Sequence, residues 1–154
     1  MKWNTTDIDT YFHAKEYVDT VLVPLIPVGF GEGMKSQVAM GEYITIMAEE
    51  LEKQFKGRVL KVPPFTYAVD ETNEERLERV NSWGQMFEEE GKTFTIFLTA
   101  DAEWKKTEDS LPGMLIWLPL LPLEHLEVKH RRQAVSDQLK QILPLIMNEW
   151  KKNP

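Results

Sequence analysis

Carboxylates that follow predicted strands are the side chains in this sequence best suited to acid–base chemistry. Glu32 lies in the glycine turn after the first predicted strand, and Asp101 follows the third strand, two residues past Thr99. Paired carboxylates can act as acid and base when burial separates their pKa values. Glu32 and Asp101 are therefore the catalytic candidates. Asp70 and Glu71 could share their cleft, although negative charge next to a helix N-terminus is also favourable in itself.

Other side chains near the same strand ends are suited to holding a small ligand. In open α/β sheets, ligands bind beyond the carboxyl ends of the strands. This rule selects the segments 29–35, 63–69, 99–104 and 119–125. The candidates for lining a cleft there are Lys35, Tyr67, Thr99 and His125.

The glycine-rich turn 29–36, GFGEGMKS, does not have the spacing of a phosphate-binding loop. A P-loop needs four residues between its first glycine and its Gly-Lys pair, whereas here Met34 separates Gly33 from Lys35. Met34 also stands where the dinucleotide fingerprint requires its third glycine, and Glu32 would repel a phosphate. The turn is therefore predicted to be a strand-to-helix connection, and no cofactor is predicted.

The histidines and cysteines predict no metal centre. The chain contains no cysteine, and its three histidines, His13, His125 and His130, lie far apart without a neighbouring metal-ligand motif. They also form no recognisable Ser-His-Asp set. A surface or helix-capping role is the alternative for His125, which lies beside Glu124.

Composition is typical of a globular protein with a single domain, residues 1–154. The 154 residues are 42% hydrophobic and 28% charged, with a net charge of −7 that argues against nucleic-acid binding.

No apolar run reaches the ~18 residues of a membrane span, so stable membrane insertion is not expected. The polar segment 1–12 has no signal-peptide pattern, which favours the cytoplasm. The basic run 129–132 is the one candidate anion patch, with a solvated helix face as the simpler interpretation.

Hydrophobic periodicity predicts an α/β fold. Strands are expected at 21–28, 58–62, 93–98 and 111–118, and helices at 5–18, 35–55, 73–90 and 126–151, with a loop at 65–72 and a helical turn at 103–106. Pro24 and Pro27 indicate either a bulge in the first strand or strand pairing that is confined to one side at those positions. Pro144 predicts that the last helix either kinks or ends there. Intervening helices imply parallel crossovers. The prediction is a single three-layer domain with a mainly parallel four-stranded sheet and helices on both faces.

Three stretches carry a resemblance to a known family. The segments AKEYVDTVLVPLIPVGFGEGMK, LEKQFKGRVLKVPPFTY and LPGMLIWLPLLPLEH resemble the YpiF-like family of uncharacterised proteins from Bacillus and its relatives, which is a domain of unknown function. The resemblance covers essentially the whole chain and implies a cytoplasmic bacterial protein. In that family the gene often lies near those of the menaquinol–cytochrome c reductase, which the resemblance offers as a hint of a respiratory link.

A weaker resemblance is to the layout of creatininase-like amidohydrolases. Those enzymes place a Glu-x-His-Gly metal sequence directly after the first strand, where this chain has Gly31-Glu32-Gly33-Met34. Glu32 alone matches, and Asp101 follows strand three where those enzymes have a histidine-bearing turn. If the ancestry holds, the metal site has been lost.

The leading functional hypothesis from the sequence is a non-catalytic accessory factor that acts through protein contacts. It is motivated by a well-patterned core in which every recognisable catalytic motif is missing or misspaced, and it implies a protein partner, with homo-oligomerisation possible. The alternative is a small-molecule binder or degenerate amidohydrolase that uses the strand-end cleft. A third hypothesis combines Arg131 and Arg132 with the apolar run 111–123 as a membrane-surface site.

Overall fold

The computed structural model describes residues 1–152 and contains a parallel sheet flanked by α-helices. The strands are β1 (Thr20–Val28), β2 (Val59–Lys61), β3 (Phe65–Ala68), β4 (Phe94–Thr99) and β5 (Met114–Trp117). The α-helices are α1 (Thr5–Phe12), α2 (Met34–Gln54), α3 (Asn73–Glu89) and α4 (Val128–Lys152). Short 3-10 helices span Lys15–Tyr17, Ala102–Ser110 and Leu123–His125. The predicted α/β class is confirmed.

The sheet has four strand positions, one of which is shared by two short strands. The order is β2-β1-β4-β5, every pair is parallel, and β3 also pairs with β1. β2 pairs with the start of β1 at Thr20–Leu22, and β3 pairs with its end at Leu25–Val28. The prediction of a loop over 65–72 is therefore wrong for its first half, where buried Phe65 and Tyr67 alternate with exposed residues in the period of a strand.

Both prolines of β1 lie where no ladder hydrogen bond is required. The amide of Val62 donates to the carbonyl of Leu22 (3.1 Å), so the backbone groups of Leu22 face β2. Because these groups alternate sides along a strand, Pro24 faces the break between β2 and β3, at residues 63–64. Pro27 faces the other side, beyond the point where β4 stops pairing with β1. At each proline, the backbone hydrogen bonds of β1 are confined to one side of the strand. Of the two predicted explanations, a bulge and one-sided pairing, the second is confirmed.

Helices cover both faces of the sheet, as predicted. Alternate residues of β1 and β4, such as Leu22 and Ile96, join the larger core cluster with α2 and α4. Residues between them, such as Val23 and Phe97, join the second cluster with α3 and Trp104. The central strands β1 and β4 are thus shared by two cores, which is why their sequences are nearly continuous apolar runs.

Two helices differ from the prediction. α1 ends at Phe12 and not near residue 18, because the next turns tighten to i→i+3 bonds and form the 3-10 helix at Lys15–Tyr17; its cap is Asn4, which accepts from the amide of Asp7 (2.7 Å). α4 continues through Pro144 as one helix, so the alternative in which it ends there is wrong. Within residues 1–152, no helix has both the length and the apolar character needed to span a membrane.

Candidate functional site

Strand order locates one crevice at the carboxyl edge of the sheet. From β1 the chain first adds β2 and β3 on one side and then crosses to add β4 on the other. The connections after β1 and β4 therefore lead away from each other, which leaves a gap at the switch point between the two strand ends. Ligands of open α/β sheets bind in such gaps.

A cavity of about 500 Å³ occupies this position, and we call it the switch-point cavity. Its lining comes from the β1–α2 turn and the start of α2, from the β3–α3 connection, and from the segment after β4. The lining residues are Pro27, Gly33, Ser36, Gln37, Met40, Val69, Glu71, Thr72, Asn73, Arg76, Asp101 and Glu103. Most of them present polar groups, so the cavity is suited to a polar molecule.

Three of the sequence-predicted residues are linked by hydrogen bonds beside this cavity, although Tyr67 and Thr99 do not line it. Asp101 lines it, and the hydroxyl of buried Tyr67 donates a hydrogen bond to Asp101 Oδ2 (2.8 Å). The amide of Asp101 donates to Thr99 Oγ1 (3.0 Å), while Asp101 Oδ1 accepts from the amide of Glu103 (3.0 Å). These contacts hold the Asp101 carboxylate in one orientation at the end of β4.

The other predicted residues lie elsewhere. Glu32 and Lys35 are exposed on the turn after β1 and on the first turn of α2, and neither lines the switch-point cavity. His125 is exposed in the 3-10 helix after β5, where its Nε2 lies 3.4 Å from a carboxylate oxygen of Glu124. Glu32 and Asp101 thus do not share the cavity as an acid–base pair.

Arg76 is a site residue that the sequence reasoning missed. Its side chain is 5% exposed, and Nη2 donates to the carbonyls of Ala68 (3.2 Å) and Val69 (3.1 Å). The guanidinium carbon lies 4.6 Å from the centroid of the Tyr67 ring. Nε is buried without a hydrogen-bond partner, and no carboxylate of the described chain lies within ion-pair distance of Arg76.

A signal for Arg76 was present in the helical stripe of α3. The apolar spacing within the sequence 73–90 predicts Leu77, Val80, Gly84 and Phe87 on the inward face, whereas the buried residues are Arg76, Val80, Gly84 and Phe87. Arg76 is four residues before Val80, which is a full helical neighbour spacing. An arginine on the apolar stripe, in the first turn of a helix that follows a strand, is the pattern that identifies it.

Each carboxylate of the cavity has a hydrogen-bond donor. Glu71 accepts from Arg79 Nη1 (2.7 Å) and from the amide of Ala68 (2.7 Å). Glu103 accepts from Lys106 Nζ (3.1 Å) and from Asn73 Nδ2 (3.4 Å), and the hydrogen bond from Lys106 is the main reason that its pKa is lowered. The acidic side chains of the cavity therefore already have hydrogen-bond partners within the protein.

Tyr67 is a fixed hydrogen-bond donor to Asp101, behind the residues that line the cavity. Burial raises its pKa above the usual value for tyrosine, and the neighbouring Asp101 carboxylate raises it further. Its hydroxyl stays protonated at neutral pH, so it serves to hold Asp101 and cannot act as a base. Residues 1–152 contain no group of three or more histidine, aspartate and glutamate side chains placed to bind a metal ion.

Comparison with known proteins gives a family and no activity. A family model described as "Protein of unknown function (DUF2487)" matches residues 9–150. The chain is 33% identical over 150 residues to the "Uncharacterized protein YpiF" of Bacillus subtilis strain 168, and the alignment covers 97% of this chain and 98% of that protein. No solved structure matches. The resemblance to the YpiF-like family is confirmed.

Proposed function

Given that the chain belongs to the DUF2487 family of proteins of unknown function, we propose that it binds a small polar molecule in the switch-point cavity. The observation that carries this proposal is the position of the cavity at the reversal of strand order, where open α/β sheets bind their ligands. Its volume of about 500 Å³ lies within the usual range for small-molecule sites. Its polar groups come from separate segments and converge on one space.

The same geometry favours binding over catalysis. Tyr67 keeps its proton and therefore offers no base, and the Asp101 carboxylate is held by hydrogen bonds from Tyr67 and from the amide of Glu103. Glu32, the other candidate for acid–base work, does not line the cavity. The arrangement supports a binding protein, which is one half of the small-molecule hypothesis. The other half, a degenerate amidohydrolase-like enzyme, stays a prediction.

Screening of polar metabolites by thermal shift and ligand-observed NMR tests the proposal. Ser36→Trp would fill the mouth of the cavity from α2, and Ser82→Trp, on the exposed side of α3, is the matched control. We expect metabolites that raise the melting temperature of the wild type to lose this effect in Ser36→Trp and to keep it in Ser82→Trp. Metabolites that stabilise both variants equally would bind elsewhere, and a screen without any binder would contradict the proposal.

A second candidate function, contact with a protein partner, is favoured by an apolar groove between α1 and α3. The groove has a volume of about 440 Å³ and lies away from the switch-point cavity. Three of its residues are large and exposed: Trp3 (57%), Phe12 (60%) and Met86 (52%). Exposed tryptophan and methionine are enriched at protein interfaces, and this groove would be the contact surface of the accessory factor that the sequence predicts.

Affinity purification from the native bacterium separates this candidate from the first. We expect any specific partner to be recovered with wild-type protein and lost with Met86→Glu, because a charge would be buried in the apolar contact. Val128→Glu places the same charge on an exposed residue outside the groove and should retain the partner. Recovery that is unchanged in Met86→Glu would remove the groove from consideration.

A further inference from the structure

We infer that the ligand of the switch-point cavity is a small hydroxy or amino acid whose carboxylate pairs with Arg76. The inference rests on the proposed function and specifies the chemical class of the ligand. It starts from an imbalance in the lining of the cavity. Glu71, Asp101 and Glu103 all accept hydrogen bonds from protein donors, whereas no carboxylate of residues 1–152 lies within ion-pair distance of Arg76 and only the more distant Glu103 offsets its charge.

Arg76 is buried enough for its lone charge to matter. Its side chain is 95% buried, since 5% of it is exposed. A buried charge loses most of its hydration and is costly unless a counter-ion or sufficient hydrogen bonds replace the water. Nη2 has two carbonyl partners, the Tyr67 ring covers one face, and Nε is enclosed without a hydrogen-bond partner. Nη1 makes no hydrogen bond with the described residues and is the nitrogen left for an anion. A bound anion would complete this environment.

The start of α2 adds a second source of positive potential. α2 begins after Gly33, which has no side chain to cap the first-turn amides, and both Gly33 and Ser36 line the cavity. α3 also begins at the cavity, but Thr72 and Glu75 cap its first turn in a capping box. The N-termini of helices favour bound anions through their unsatisfied N–H groups and the helix dipole. An anion beside Arg76 would therefore also face the start of α2.

The acidic lining limits how much negative charge the ligand can carry. The lining holds three carboxylates and one guanidinium, a formal charge of −2. A phosphate dianion would be repelled by these carboxylates at close range, whereas a single carboxylate adds one charge and is the planar group that guanidinium binds best. The geometry therefore points to a carboxylate.

Acceptors in the same cavity define the rest of the ligand. The oxygens of Asp101 retain acceptor capacity beyond the bonds from Tyr67 and Glu103, and Gln37 also lines the cavity, although its Oε1 is buried on the side of Gly29 without a partner. A hydroxyl or ammonium group of the ligand would donate to Asp101. Tyr67 connects the two ends of the site, because it stacks on Arg76 and donates to Asp101.

NMR titration of the ¹⁵N-labelled full chain tests the inference. The probes are glycolate, glycine, acetate, inorganic phosphate and ethanolamine, each at matched ionic strength and pH 7. We expect glycolate and glycine to shift the amides of Gly33, Ser36 and Asp101, acetate to bind more weakly, and phosphate and ethanolamine to bind least. Phosphate binding more tightly than both acids would overturn the assignment of a carboxylate.

Variants of Arg76 decide whether this residue holds the anion. Arg76→Gln should weaken glycolate binding at least tenfold, and Arg76→Lys should weaken it less, because a point charge keeps attraction but loses the planar pairing. Arg132→Gln removes the same charge from an exposed position on α4 and should leave binding unchanged. If Arg76→Gln fails to fold by circular dichroism, Arg76→Lys alone carries the comparison.

The outcomes separate failure of this inference from failure of the proposed function. Equal glycolate affinity in wild type and Arg76→Gln, or in wild type and Arg76→Lys if the glutamine variant does not fold, would overturn the role of Arg76. If neutral metabolites bind in the cavity and no acid does, the inference is wrong and the proposed function stands. If no probe and no screened metabolite perturbs the cavity amides, both are wrong.

Discussion

Two buried tyrosines differ at the residue scale in a single hydrogen bond. Tyr43 in α2 and Tyr67 in β3 are each 1% exposed. The Tyr67 hydroxyl donates to Asp101 (2.8 Å), whereas the Tyr43 hydroxyl is buried without a partner. A buried hydroxyl contributes to stability only when it is hydrogen-bonded and is otherwise a cost. The pair therefore offers a direct measurement of what the Tyr67–Asp101 contact contributes to the site.

Replacing each tyrosine with phenylalanine should give effects of different size. We expect Tyr67→Phe to lower the free energy of unfolding by about 1–2 kcal/mol, because a hydrogen bond to a charged group is lost. Tyr43→Phe should be neutral or slightly stabilising, since the removed hydroxyl has no partner. Urea unfolding followed by circular dichroism measures both values. Equal losses in the two variants would show that the Tyr67 hydroxyl adds no net stability.

Alkaline pH should destabilise the protein through the same tyrosines. Burial raises the pKa of Tyr43 to about 12, and Tyr67 shifts in the same direction. Above pH ~10 the tyrosines of the unfolded chain lose their protons while these two keep theirs, so the unfolded state binds fewer protons and stability falls as pH rises. For each tyrosine, the free energy of unfolding falls by at most about 1.4 kcal/mol per pH unit.

Comparison of wild type with Tyr43→Phe between pH 9 and about 12 isolates one of these contributions. Titration of lysines in the same range is common to both proteins and cancels in the difference. We expect the unfolding free energy of Tyr43→Phe to fall less steeply than that of the wild type. Parallel curves would mean that Tyr43 ionises equally easily in the folded and unfolded states.

The sequence predicts a site residue well where the backbone strictly fixes the direction of its side chain. Asp101 and Thr99 were found because the end of a buried strand places them at the edge of the sheet. The direction of Glu32 depends on the backbone of a turn with three glycines, which residue types do not determine. The sequence does not predict Arg76, because the apolar residues of α3 indicate an inward face that includes Leu77, one residue further along. At the residue scale, strand ends were predictable, and turns and buried charges were not.

At the element scale, burial on both faces made the central strands easy to predict. β1 and β4 lie within two residues of their predicted bounds, because strands covered on both faces are continuous apolar runs. β3 was missed because Pro63-Pro64 signals a stop, and only four residues follow in which the alternation can be seen. The chain uses this break to change from one short strand to the next along the same side of β1.

Gly84 shows how a helix is fitted to its neighbour. A Cβ at this position of α3 would lie 2.5 Å and 2.6 Å from ring carbons of Pro112, in the segment before β5. Alanine should stabilise a helix by about 1 kcal/mol relative to glycine, but the rigid ring cannot move aside without shifting the backbone. We expect Gly84→Ala to lower the free energy of unfolding by about 1–3 kcal/mol, as overpacking does.

Gly41→Ala in α2 is the matched control for Gly84→Ala. Its Cβ would lie 3.1 Å from a methyl group of Ile26, a half-buried side chain that can adjust by a few tenths of an ångström. We expect this variant to be neutral or more stable than the wild type in thermal and urea unfolding. A comparable gain in stability for Gly84→Ala would show that Pro112 does not pack closely on α3.

For the whole molecule, the two cores have strands in common. One cluster joins α2 and α4 to the sheet, and the other joins α3 and Trp104 to its opposite face, while β1 and β4 contribute side chains to both. Loss of one core would leave one face of these central strands exposed to water. The sequence prediction of a single domain therefore has a physical consequence, which is that both faces should unfold together.

Ile142→Ala tests this cooperativity from the α4 side. Ile142 is buried in the first core, so the cavity left by alanine should lower the free energy of unfolding by about 2–5 kcal/mol. With Trp3, Trp117 and Trp150 replaced by phenylalanine, the fluorescence of Trp83 and Trp104 reports on the second core, while far-UV circular dichroism follows the helices. We expect both signals to shift to the same lower urea midpoint in Ile142→Ala. Leu145→Ala, on the exposed side of the same helix, should shift neither by a comparable amount. A fluorescence midpoint that stays at the wild-type value while the circular dichroism midpoint falls would show that the two faces of the sheet unfold independently.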